Sequence, residues 1–217
     1  MRRYVRPGDW SVIGSVGRVP YLSPASDAPA PNQTAVIAAV PVADALVERH
    51  RQRLDAAATW GVPAHVTVLY PFVEPARVDD DLVATLATAA RCVASFECRF
   101  ERTRWFGDDV LWLDPNPAEP FRRLTEAVGA AFPECPPYGG AFDEVVPHLT
   151  VAERRFADLA TLKGVERDVL AGLPLVAPIE RVLLIAGTQA PNSWTILSEL
   201  RLGTSTRPRS RSRKPDP

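Results

Sequence analysis

The chain has 217 residues, a formal charge of −1, and 46% hydrophobic against 24% charged side chains, the usage of a globular protein with one large or two small domains. No apolar run reaches the roughly 20 residues that a membrane-spanning helix requires, because Asp44 stops the stretch from Ala35 to Ala43 and Arg181 breaks the later one. Three cysteines, Cys92, Cys98 and Cys135, are odd in number and form no Cys-x-x-Cys pair, which fits the reduced thiols of a cytoplasmic protein better than a disulfide framework or a zinc knuckle.

At the start of the chain, Arg2, Arg3 and Arg6 are followed by Pro7, Gly8 and Asp9 rather than by an apolar core, so no export signal is expected. Residues 1–33, with Pro20, Pro24, Pro29 and Pro31, read as an irregular segment. From there the chain enters a strand, Ala35 to Val40, and then a helical pattern with Ala45, Leu46, Val47 and Leu54. His50 lies in the polar run Glu48-Arg49-His50-Arg51-Gln52 and reads as a surface residue. The tetrapeptide His65-Val66-Thr67-Val68 follows, then a helix over Asp79 to Ala94 and a strand over Glu97 to Thr103.

The same order then recurs. Val110 to Leu113 reads as a strand, and Phe121, Leu124, Val128 and Phe132 recur at helical intervals. After the loop Pro136-Pro137-Tyr138-Gly139-Gly140 comes His148-Leu149-Thr150-Val151. A helix over Ala157 to Ala171, a strand over Glu180 to Ala186 and a closing strand near Trp194 to Leu200 complete the pattern. The fold class implied is α+β: a bilobal pseudo-twofold repeat, two mostly antiparallel sheets with flanking helices and a central cleft. The lobed domain spans 34–203. Residues 204–217 form a basic tail in which Arg207, Arg209, Arg211, Arg213 and Lys214 face a single acid, Asp216. Such a segment is expected to be disordered.

The two tetrapeptides share the pattern His, apolar, Thr, apolar, and they hold two of the three histidines. In a strand the His and Thr project from one face while the apolar residues enter the core. Two imidazoles and two hydroxyls facing each other suit phosphodiester chemistry. One imidazole takes a proton from the attacking oxygen, the other protonates the leaving oxygen, and the hydroxyls donate to phosphate oxygens. No metal is obligatory, and the expected pH–activity profile is bell-shaped.

With Pro63 and Pro147 close before the histidines, and with Gly61 to Phe72 and Tyr138 to Thr150 surrounding the motifs, the chain resembles the two-histidine phosphoesterase superfamily over about residues 34–202. Within it the likeness is to the 2'-5' RNA ligase-like and cyclic phosphodiesterase group. The resemblance implies His65, Thr67, His148 and Thr150 as catalytic residues, with His148 as base and His65 as acid. It also implies a nucleotide or RNA terminus bearing a 2',3'-cyclic or 2'-5' phosphate as partner, with no cofactor and no metal. A monomer without membrane attachment is expected.

Further substrate-binding candidates are Arg154, whose planar guanidinium suits a phosphate, and Tyr138, Phe142 and Trp105, which could stack on a base. Arg155 is a neighbour of the same kind. Tyr70 and Phe72 fall on the opposite strand parity from His65 and read as core. Two other readings compete with phosphodiester cleavage. A metal site on the two histidines needs a third ligand such as Asp143 or Glu144, and a noncatalytic RNA- or nucleotide-binding module needs no proton transfer at all. A phosphate-binding loop, a Gly-x-Ser-x-Gly elbow and a His-Glu-x-x-His pair are all missing from the sequence.

Overall fold

A computed structural model of the chain describes residues 30–141 and 145–204. Among them the first strand, β1 (Gln33–Ala39), holds five consecutive buried residues, Thr34 and then the apolar run Ala35 to Ala38, the signature of a strand covered on both faces. It leads through a 3-10 turn into helix α1 (Asp44–Leu54) and the single turn α2 (Ala56–Thr59), and then to β2 (His65–Leu69). Helix α3 (Asp80–Arg91) and strands β3 (Phe96–Phe106) and β4 (Val110–Asn116) follow, then α4 (Glu119–Ala131), β5 (Leu149–Glu153) and α5 (Leu159–Leu170). Strands β6 (Leu175–Ile179), β7 (Arg181–Gly187) and β8 (Thr195–Arg201) end the described fold. Asp79 and Asp158 cap α3 and α5, each carboxylate accepting a backbone N–H of the first turn.

The strands form two four-stranded antiparallel sheets, ordered β2-β1-β7-β8 and β5-β4-β3-β6. The two orders correspond strand for strand, with β2 and β5 as equivalent edges. The lobes, however, are not the two halves of the sequence. The order of elements groups β3 with the first motif and β7 with the second, whereas β3 pairs with β4 and β6, and β7 pairs with β1 and β8. Helices are exchanged as well: α4 packs on β2 beside α3, while α1 packs on β5 and against α5. Each lobe therefore contains elements from both halves.

Strand β6 is an addition to the elements legible in the sequence. Its five residues include Pro178, which a central strand cannot accommodate but an edge strand can, and β6 is an edge.

One apolar core runs continuously through both lobes, including Val66, Val68, Leu86, Phe100, Leu113 and Val151. A smaller cluster of Ala35, Ile37, Val62, Leu183, Ile185 and Trp194 covers the other face of the first sheet, which explains why β1 shows no polar alternation. Gly61 permits the loop that closes this cluster. Its φ of +93° is a conformation that a side chain rarely adopts, and an added Cβ would lie 3.1 Å from the Asn192 Cα.

Candidate active site

In β2, Val66 and Val68 are buried while His65 and Thr67 are half-buried on the opposite side. In the register with β1, His65 stands opposite Ala39 and Thr67 opposite Ile37, so the polar pair lies on the face that carries the smaller apolar cluster. The second motif repeats this arrangement. Leu149 and Val151 are buried, Thr150 is half-buried in β5, and His148 sits one residue before the strand. Since β2 and β5 are edges of their own sheets and pack against one another, the fold brings both His–Thr pairs to one seam.

The two imidazoles are held in the same way. His65 Nδ1 lies 2.7 Å from the Pro63 carbonyl oxygen and His148 Nδ1 lies 2.8 Å from that of Val146. A carbonyl can only accept, so each Nδ1 carries the hydrogen, and in the neutral ring each Nε2 keeps its lone pair. Burial lowers the pKa of both rings. For His65 the fall is to about 3, caused first by desolvation and then by the Arg51 guanidinium, with a positive His148 adding to it. The unliganded site thus holds two neutral imidazoles at neutral pH.

Arg51 was not visible as a site residue in the sequence, and its surroundings correct the reading of that helix. Neither His50 nor Arg51 is on the surface: both are buried, Arg51 almost completely, because this side of α1 packs on β5. The Arg51 Nε donates to Asp55 Oδ2 at 2.9 Å and its Nη2 to the Val62 carbonyl at 3.3 Å, three residues before His65. Asp55 also accepts the Ala57 N–H at 3.0 Å, and the adjacent Ala56 N–H donates to Glu153 Oε1 at 3.0 Å. A chain of polar contacts thus joins the segment before the first histidine to the end of β5. Burial pushes the Asp55 carboxyl up, with Arg51 opposing that rise.

The sequence as a whole matches the model of the 2'-5' RNA ligase superfamily over residues 38–189. The chain belongs to the 2'-5' RNA ligase superfamily. Solved structures with the same fold include TT0787 of Thermus thermophilus, 23% identical over 80% of this chain and 99% of that one with a TM-score of 0.55. Two of E. coli LigT also share it: the apo form, 15% identical over 80% of this chain and 99% of that one with a TM-score of 0.52, and the form complexed with 3'-AMP, 16% identical over the same shares with a TM-score of 0.50. No curated protein matches the sequence significantly.

Around the two histidines, the other residues picked from the sequence fall in different places. Tyr138 comes to the first motif from the opposite half of the chain: its phenol is hydrogen-bonded to the Thr67 hydroxyl, and its backbone N–H donates to the Tyr70 carbonyl at 2.6 Å. This residue has φ 52° and ψ 31°, a left-handed conformation costing a non-glycine residue about 1–3 kcal/mol. Phe142, Asp143 and Glu144 lie outside the described residues. Arg154 is exposed at the end of β5, where its Nη1 donates to the Ala157 carbonyl at 2.8 Å. Arg155 pairs with Glu153 at 2.7 Å. Cys92 is exposed, while Cys98 and Cys135 are buried, and all three are free thiols; burial pushes Cys98 up to about 12.

Trp105 is not brought to the histidines. It stands opposite Leu111 in the β3–β4 register, so it faces the helices, where its Nε1 donates to Glu166 at 2.6 Å and Lys163 lies 4.2 Å from its ring centroid. The aromatic residues beside His148 are instead Phe106 and Trp112, with centroids 5.0 and 5.9 Å from the imidazole. They stack on each other at 4.8 Å. Trp112 is opposite Thr150 in β5, so the indole lies on the same face of the sheet as the threonine, a pairing that the sequence does not record.

Proposed function

We propose that this chain is a metal-independent phosphodiesterase that hydrolyses 2',3'-cyclic phosphates or 2'-5' linkages at nucleotide or RNA ends. One observation carries the reading. Two imidazoles, one at the start of β2 and one directly before β5, each tie Nδ1 to a backbone carbonyl and leave Nε2 for the reaction.

In the hydrolysis of a cyclic phosphate, His148 takes a proton from water as its oxygen bonds to phosphorus. The bond to one ribose oxygen breaks, and His65 protonates that oxygen, leaving a phosphomonoester. The division of roles follows the resemblance. The hydroxyls of Thr67 and Thr150 donate to the nonbridging oxygens.

Arg51 and burial disfavour a proton on His65 in the empty site, so the proton that the acid needs arrives with the negative charge of the substrate. Binding of 3'-AMP at pH 7 is therefore expected to take up close to one proton, as measured by calorimetry in buffers of different ionisation enthalpy. Binding without proton uptake contradicts this protonation scheme.

The activity itself is tested with 2',3'-cyclic mononucleotides, ADP-ribose 1'',2''-cyclic phosphate and 2'-5'-linked dinucleotides, each with a chelator present. The expected result is turnover of at least one of these, lost in His65→Ala. Ligand binding without turnover of any of them would instead make the chain a noncatalytic nucleotide-binding module, and turnover abolished by the chelator would mean a metal enzyme.

A further inference from the structure

The sheet that carries the second motif holds a group of donors that hydrolysis at the histidines does not use. Trp112 is only 4% exposed, and its Nε1 is buried without a hydrogen-bond partner among the described residues. The indole N–H can only donate, and a buried donor left unpaired is rare in folded proteins.

On β3 the residue directly opposite Trp112 is Arg104. Its Nε donates to Asp114 Oδ2 at 2.6 Å, and the Nε of Arg102 donates to the same oxygen at 2.7 Å. Two guanidinium groups thus share one carboxylate, and neither has another ion-pair partner among the described residues. One positive charge remains uncompensated. Both arginine side chains are more than half exposed, while Asp114 is largely covered, so the carboxylate serves to hold the two cations side by side with their outer edges open.

These groups lie on the face of the sheet that carries His148. Thr150, Trp112 and Arg104 occupy opposed positions on three consecutive strands, so Arg104 is two interstrand spacings, about 10 Å, from Thr150. Phe106 stacks on Trp112 and stands edge-on to His148. At the equivalent positions of the first sheet the residues in line with Thr67 are Ile37 and Leu183, which offer no donor.

We propose that Arg102, Arg104 and the Trp112 indole N–H form a second anion subsite, which takes a phosphate of the substrate other than the one being cleaved. An unpaired N–H on the residue opposite Arg104, with two forked guanidinium groups on the facing strand, supplies donors for the several oxygens of a phosphate. Because only one sheet carries the subsite, it also fixes which way the substrate lies across the two histidines. The subsite rests on the nucleotide-end reading given above, and it makes a nucleotide with a second phosphate, such as the end of an oligonucleotide, the preferred ligand over a nucleoside carrying one.

Titration of the full chain with 3'-AMP and with adenosine 3',5'-bisphosphate, at one fixed salt concentration and read by tryptophan fluorescence and calorimetry, tests this without requiring turnover. The bisphosphate is expected to bind at least about tenfold more tightly, the order of one added charge-assisted contact. In the double variant Arg102→Gln, Arg104→Gln that ratio falls to within about twofold. In Trp112→Phe, which keeps a ring in place and removes the donor, the ratio falls part of the way, with circular dichroism reporting that each variant is folded. Equal affinities in the unaltered protein, no binding of either nucleotide, or a ratio unchanged in the double variant overturns the subsite. Turnover of the cyclic substrates is judged separately: a bisphosphate preference without turnover keeps the subsite and removes the activity, and turnover without the preference does the reverse.

Discussion

His65 is the residue on which chemistry and stability meet. Its pKa is about 3 in the folded protein against an ordinary value of 6.5, so between these values the unfolded chain binds a proton that the native ring refuses. Stability from this group is complete above pH 6.5 and is lost as the pH falls towards 3, by at most about 1.4 kcal/mol per pH unit. Urea denaturation at pH 7, 5.5 and 4.5 should show a steeper decline for the unaltered protein than for His65→Gln; parallel declines would place the pH dependence elsewhere. The motif that contains His65 was legible because strand alternation alone puts His and Thr on one face. Its low basicity was not, since it depends first on burial between the packed sheets and then on Arg51, which comes from a helix that looks like a solvated polar stretch.

Elements matter here through the contacts that fix them to one another. The Arg51–Asp55 pair is buried, and its links to Val62 and, through Ala56, to Glu153 hold α1, the approach to β2 and the end of β5 together. Arg51→Met leaves the Asp55 carboxylate buried without its partner, and a loss of about 3–5 kcal/mol is expected by denaturant unfolding. A loss below about 1 kcal/mol, the range of an exposed pair, would mean that the pair is not a structural tie. By contrast Asp158→Ala, which removes only the cap of α5, should lower stability far less than Arg51→Met in the same denaturant unfolding. Helices α3, α4 and α5 were readable in sequence from apolar spacing. The misplacement of Trp105 has a definite cause: the strand legible in the sequence ends at Thr103, whereas β3 runs on to Phe106, so Trp105 is a strand residue whose place opposite Leu111 turns it to the helices. The same extension puts Phe106 on the other face, beside His148.

The exchange of strands and helices between the sheets makes the fold one interlocked unit. The repeat in the sequence correctly signalled two equivalent sheets, yet it suggested two lobes in succession, because sequence order does not record which strands pair. The consequence is measurable. Fragments 30–107 and 108–204 should each fail to fold, since the first contains β3 without β4 and the second contains β7 without β1, and the intact chain should unfold in one transition by both circular dichroism and tryptophan fluorescence. Two separate transitions would mean independent lobes.

The same interlocking brings the histidines together, and their joint action is the claim to be measured: the kcat/KM for whichever cyclic phosphate the protein turns over best, in the unaltered chain, His65→Ala, His148→Ala and the double variant. Each single change is expected to remove about 10²- to 10⁴-fold of the rate, and the double variant should lose little more than the worse single one, as groups that act as a unit do. A folded single variant that keeps full activity would contradict the account.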